Sequence, residues 1–172
     1  MPSFFDKQAE LTLKGRQLTW SLVILYSLTL VLLCWTPQYG TIEGVETPNV
    51  FSVGRMVFLL VPFNSLIGFG ELDTALEIFW VITQNVMNIF LIFPLMLGLL
   101  GLFPNLRNLK KILWLSFAIS LTIEVGQLIL DLLIDANRVF EIDDLWTNTL
   151  GGVIAFWTFN KLQTLLRVGD KL

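Results

Sequence analysis

Apolar residues run nearly unbroken through four stretches of the chain, about Leu18–Trp35, Ile78–Phe103, Ile112–Ile134 and Leu145–Leu166. A helix needs ~20 residues at 1.5 Å rise to cross a bilayer, so each stretch predicts a membrane-spanning helix. Polar side chains interrupt three of the four: Gln84, Asn85 and Asn88 in the second, Glu124, Gln127 and Asp131 in the third, Asn148 in the fourth. Such groups are costly in hydrocarbon and turn toward protein or a wet cavity. The pattern predicts an all-α bundle of four transmembrane helices around a polar cluster.

Residues 37–76 form the longest connection. Gly40, Gly44, Pro48, Gly54, Pro62, Gly68 and Gly70 punctuate it, and its apolar middle, Met56–Val61, is too short to span. Residues 51–70 are expected to lie on the outer interface or to dip in and return. A fifth crossing there would reverse every later loop. Helix 1 ends at Trp35-Thr36-Pro37, and Pro94 is expected to kink helix 2. The chain divides into a polar segment 1–16, a transmembrane domain 17–167 and a tail 168–172. The first apolar run exceeds a signal-peptide core and is expected to be retained.

Charge sets the orientation. Lys7, Lys14 and Arg16 precede helix 1; Arg107, Lys110 and Lys111 follow helix 2; Lys161, Arg167 and Lys171 close the chain, together 9 of the 11 basic residues. Four crossings with both termini in the cytoplasm place all three groups inside. The expected location is a bacterial cytoplasmic membrane.

Composition narrows the chemistry. The chain is 55% hydrophobic and only 15% charged, with one cysteine and no histidine. A Ser-His-Asp or Cys-His nucleophile, a zinc site using His and an HExxH protease are therefore excluded. Neither a metal nor a cofactor is expected, and no catalytic residue is assigned.

The candidate ligand-binding residues are Glu124, Gln127, Arg138, Asp144, Asn148, Asn85 and Asn88. Glu124, Gln127, Asp131 and Asp135 are spaced 3, 4 and 4 and share a helical stripe. Asp144 and Asn148 share a face of helix 4. Glu124 lies ~15 Å from the outer end of its helix at 1.5 Å per residue. The amides alone are most simply interhelical glue, at about 0.6–2 kcal/mol per hydrogen bond. A carboxyl at that depth asks for more, because an amide would bind the helices without the cost of ionisation. Asp143 and Asp144 read equally as a helix cap or as ligands. Arg138, flanked by Asp135, Glu141, Asp143 and Asp144, reads as a structural ion pair or an anion-binding group.

Three blocks resemble the VanZ-like family of small bacterial membrane proteins. They are Val61-Pro62-Phe63-Asn64; the run from Asn85 through Asn88 to Phe93-Pro94-Leu95; and Ser120 to Gln127 with Glu124, followed by Arg138, Asp143-Asp144 and Asn148-Thr149-Leu150-Gly151-Gly152. Met96 stands where a glycine commonly follows Pro-Leu in that family. The resemblance implies a multi-span bundle with an envelope role. The name-giving member is linked to resistance against teicoplanin, a lipoglycopeptide, so the implied partner is a membrane lipid or lipoglycopeptide amphiphile. Two other readings remain open. A carboxylate- or metal-dependent enzyme could act on a lipid-linked envelope precursor, or the bundle could be a scaffold for a membrane-protein partner or a homo-oligomer. No nucleic-acid partner is expected.

Overall fold

The computed structural model describes residues 4–38, 48–64 and 75–169. Helix α1 spans Leu13–Trp35, α2 Ala75–Leu91, α3 Phe93–Leu102, α4 Leu109–Ile134 and α5 Ile142–Gly169. Three stretches are long and apolar enough to cross a membrane: Leu13–Trp35, Val81–Leu102 (α2 running into α3) and Leu109–Ile134. Only 22% of the most apolar window of α1 is buried. Leu22, Leu25, Leu28 and Leu32 face outward. Water would not tolerate so continuous an apolar surface, but lipid does.

Helix ends follow local chemistry. Thr12 caps α1, its Oγ1 accepting from Gly15 N at 3.3 Å, so the helix begins before the apolar run and carries Lys14 and Arg16 in its first turns. Asn108 caps α4, its Oδ1 accepting from Lys110 N at 3.0 Å. Pro94 lacks an N–H, and the second span breaks at Ile92 into two helices instead of bending as one. The Tyr26 hydroxyl donates to the carbonyl of Leu91 at that break, at 2.7 Å.

Helix α5 is the hub, packing against α2, α3 and α4. Its lower hydropathy has a positional cause: Thr147 and Asn148 are fully covered by neighbouring helices. Two glycines allow that approach. A Cβ at Gly151 would collide with the carbonyl oxygen of Ile89, and one at Gly152 with the Ser116 hydroxyl. Helix α1 packs on the rim of this group, against α3 and α4.

A small sheet departs from the all-α expectation. Strands β1 (Phe51–Val53) and β2 (Met56–Leu59) form an antiparallel hairpin turning at Gly54, whose φ is +64°. β2 pairs in parallel with β3 (Val139–Glu141), Leu59 opposite Glu141. Residues 51–59 therefore form a hairpin, and β3 ties it to the loop between α4 and α5. The pattern was too short to reveal this, because β3 is three residues long and its partner lies 82 positions away. The remainder of the expected interfacial segment, 65–70, lies outside the described residues, as do residues 170–172 of the expected tail.

The glycine contacts order the cost of substitution. Gly151→Ala should destabilise by about 1–3 kcal/mol, because a backbone carbonyl stands in the way. Gly98→Ala meets the end of the Val23 side chain at 2.5 Å and should cost less. Melting temperatures of the two variants in detergent check the ranking.

Candidate functional site

The C-terminal end of α1 creates a demand for hydrogen-bond donors. An α-helical carbonyl accepts from the N–H four residues on. For Leu33 that position is Pro37, which has no N–H. For Cys34 it is Gln38, whose N–H goes instead to the carbonyl of Ala136 at 2.9 Å. Two carbonyls at the α1 terminus are left without their own helix's donors.

Arg138 and Gln127 supply the replacements. Arg138 Nε donates to Cys34 O at 2.9 Å, and its Nη2 donates to Leu33 O at 2.7 Å and to Cys34 O at 2.6 Å. Gln127 Nε2 donates to Cys34 O at 3.0 Å. The Arg138 backbone N–H donates to Asp131 Oδ1 at 2.9 Å, which fixes the loop that carries the guanidinium. Arg138 is therefore a buried helix cap; of the two readings open for it, the ion pair with a neighbouring carboxylate does not form among the described residues. Among the described residues the ion pair is Arg107 with Glu10, at the opposite end.

Glu124, Gln127 and Asp131 form the buried stripe that their spacing predicts. Asp135 leaves it: the residue turns to φ +57° as the C-cap of α4 and is exposed. Glu124 is 1% exposed. Its Oε2 accepts from the Glu141 backbone N–H at 2.9 Å, joining α4 to β3. Its Oε1 is buried without a hydrogen-bond partner among the described residues.

Below Glu124 the polar line continues. Ser120 Oγ donates to Asp144 O at 3.0 Å and accepts from Asn148 Nδ2 at 3.0 Å. Asn148 Oδ1, Ser116 Oγ and Asp131 Oδ2 are also buried without partners among the described residues. Asn88 Nδ2 donates to Asp144 Oδ1, drawing α2 into the cluster. Asn85 stays apart, its Nδ2 donating to Val81 O of its own helix at 2.8 Å, and Gln84 is exposed. Asp143 holds the Pro62-Phe63 loop: its Oδ1 accepts from Phe63 N at 2.7 Å and from Trp146 Nε1 at 2.9 Å. The Phe63 and Trp146 rings pack with centroids 5.3 Å apart. Among the described residues no three His, Cys, Asp or Glu side chains are grouped to hold a metal ion.

The VanZ/LLP1 family model matches residues 23–166. The chain belongs to the VanZ/LLP1 family. It is a multi-pass membrane protein. No curated protein and no solved structure is significantly similar to it. The three sequence blocks that carry the family resemblance meet in space in this VanZ/LLP1 chain. Phe63 from the first is held by Asp143, Asn88 from the second binds Asp144, and Ser120 and Asn148 from the third bind each other.

Some members of the cluster escaped sequence reasoning. Ser116 precedes Ser120 and Glu124 by steps of four, a signal present in the sequence. Gly126 reads as filler, yet a Cβ there would stand 2.7 Å from the Trp35 ring, whose Nε1 donates to Ile123 O at 3.3 Å. Glu141 gave no signal, because its place is set by β3. Burial and the neighbouring Asp144 and Asp143 carboxylates push its carboxyl from 4.5 up to about 8.

That shift has a definite sign. The fold keeps a proton on Glu141 that the unfolded chain loses near pH 4.5. Its contribution is complete below that pH and is lost as pH rises through about 8. Glu141→Gln should therefore melt higher than wild type at pH 9 and level with it at pH 4.5, read by thermal unfolding in detergent.

Proposed function

We propose that this protein is a four-span bundle of the bacterial cytoplasmic membrane, with both termini inside, that binds an amphiphile at its outer polar cluster. The fourth span is α5, which packs against three helices and buries Asp143, Thr147 and Asn148. The observation that carries the reading is Glu124 Oε1, a carboxyl oxygen buried with no donor among the described residues. A buried polar atom left this way is costly. A head group presenting N–H or O–H would satisfy it, with Asn148 Oδ1 as a further acceptor. Glu124, Asn148, Asp144 and Asn88 form this site, and Gln127 and Arg138 position it from the α1 terminus.

An apolar groove runs beside the cluster. It lies between α1 and α4, has a volume of about 290 Å³, and reaches from Ser27 and Leu95 up to Cys34, Trp35 and Ile123. Cys34 joins the two features, because its carbonyl receives Gln127 and Arg138. A polar cluster above an apolar groove suits an acylated ligand such as a lipoglycopeptide or a lipid of the outer leaflet. Holding the acyl chain of teicoplanin away from its target would lower susceptibility to it.

Binding of teicoplanin and of its deacylated form to the purified protein, followed by tryptophan fluorescence, tests this. Teicoplanin should bind and the deacylated form should not. Glu124→Gln should weaken binding at least tenfold, about 1.4 kcal/mol, with an unchanged melting temperature. Equal binding by the variant, or by both forms of the ligand, would overturn the reading.

A further inference from the structure

A second groove, larger than the one beside the polar cluster, shares no lining residue with it. It has a volume of about 520 Å³, runs between α1, α3 and α5, and its lining is almost wholly apolar. Leu22 and Leu25 of α1, Leu97 and Gly98 of α3, and Phe159 and Leu162 of α5 face it. Gly98 keeps it open, since any side chain there would meet Val23. Pockets that take a small organic ligand hold roughly 300–1,000 Å³. Leu22 and Leu25 are 54% and 63% exposed, so the groove opens sideways, toward the surroundings of the helices. In a bilayer those surroundings are acyl chains.

The rim supplies the other half of a lipid. Phe4 and Phe5 of the N-terminal segment close the groove at the end near the termini. Arg16 Nη1 donates to Leu102 O at 3.1 Å, one residue beyond the lining residue Gly101. Arg167 Nε donates to Gln8 O at 3.1 Å, one residue beyond the lining residue Leu166. Each guanidinium is anchored at the rim by one N–H and keeps further donors for a phosphate. Among the described residues the acidic groups nearby, Glu10 and Asp6, are engaged. Glu10 pairs with Arg107 and accepts from Gln163 at 3.1 Å, and its carboxyl is held below its usual range by Arg107, with Gln163 and Arg167 assisting. Asp6 accepts from its own loop N–H groups, Gln8 at 2.8 Å and Glu10 at 2.9 Å. Lys7, Lys14, Lys110, Lys111 and Lys161 add positive charge at this end of the bundle.

We propose that this groove seats an acyl chain of one anionic glycerophospholipid from the leaflet nearest the chain termini, with Arg16 and Arg167 holding its phosphate. Apolar burial provides the seat, and the basic rim selects the charged head group. The site is separate from the outer cluster and needs none of its residues.

Lipid exchange of the purified full chain, read by native mass spectrometry with equimolar dioleoylphosphatidylglycerol and dioleoylphosphatidylcholine, tests the assignment. One phosphatidylglycerol per chain should be retained, with at least fivefold preference over phosphatidylcholine. Arg16→Gln with Arg167→Gln should bring the two lipids to parity. Leu22→Trp with Leu97→Trp should fill the groove and cut retention of both. Circular dichroism shows whether each variant keeps its helices. Glu124→Gln should retain phosphatidylglycerol as wild type does, which separates this site from the outer one. No preference in wild type, a preference that survives loss of both arginines, or retention by a folded, groove-filled variant would overturn the proposal.

Discussion

The end of α1 is where the structure meets its hardest constraint. Backbone carbonyls turned into a dry interior need donors, and Leu33 and Cys34 lose theirs to Pro37 and to the Gln38–Ala136 bond. Arg138 and Gln127 answer that need from the loop after α4 and from α4 itself. Once Arg138 is committed, its backbone N–H fixes Asp131, and the short loop leads directly into β3. β3 in turn presents the Glu141 N–H to Glu124 and the strand edge to β2. The freed carbonyls at the end of one helix are thus linked through Arg138 to the sheet and to Glu124.

The cluster is not a set of interchangeable glue contacts. Gln127, Arg138 and Asp143 have their hydrogen-bonding capacity directed at backbone groups or at a neighbouring ring N–H. Glu124 and Asn148 each make one bond and retain a buried oxygen without a donor among the described residues. That division separates residues that position from residues with capacity left to bind. It places Arg138 in the first group, its guanidinium on helix-end carbonyls and its backbone N–H on Asp131.

The two grooves give the bundle two kinds of lipid-facing surface. One lies beside the polar cluster and the other beside the basic end, and a packed core of α3, α4 and α5 joins the helices. That core includes Ile92, Met96, Leu100 and Ile112, all fully buried. The flexible Met96 side chain lies beside Gly152. Helix α5 can pass through this centre because Gly151 and Gly152 give up side chains where Ile89 and Ser116 press closest.

Much of this was written in the sequence in the form of periodicity. The apolar runs located the helices to within a few residues, and the 3-and-4 spacing put Glu124, Gln127 and Asp131 on one buried stripe. Those signals are local, because helical hydrogen bonds close within four residues and depend little on the rest of the chain. Three features were decided only by tertiary structure. The sheet joins strands of three or four residues that lie far apart. Arg138 prefers helix-end carbonyls to the carboxylates beside it in sequence. Glu141 takes its place only because β3 pairs with β2. Each depends on which distant group is near, and a donor's choice among acceptors in a low-dielectric interior is settled by position, not by residue type.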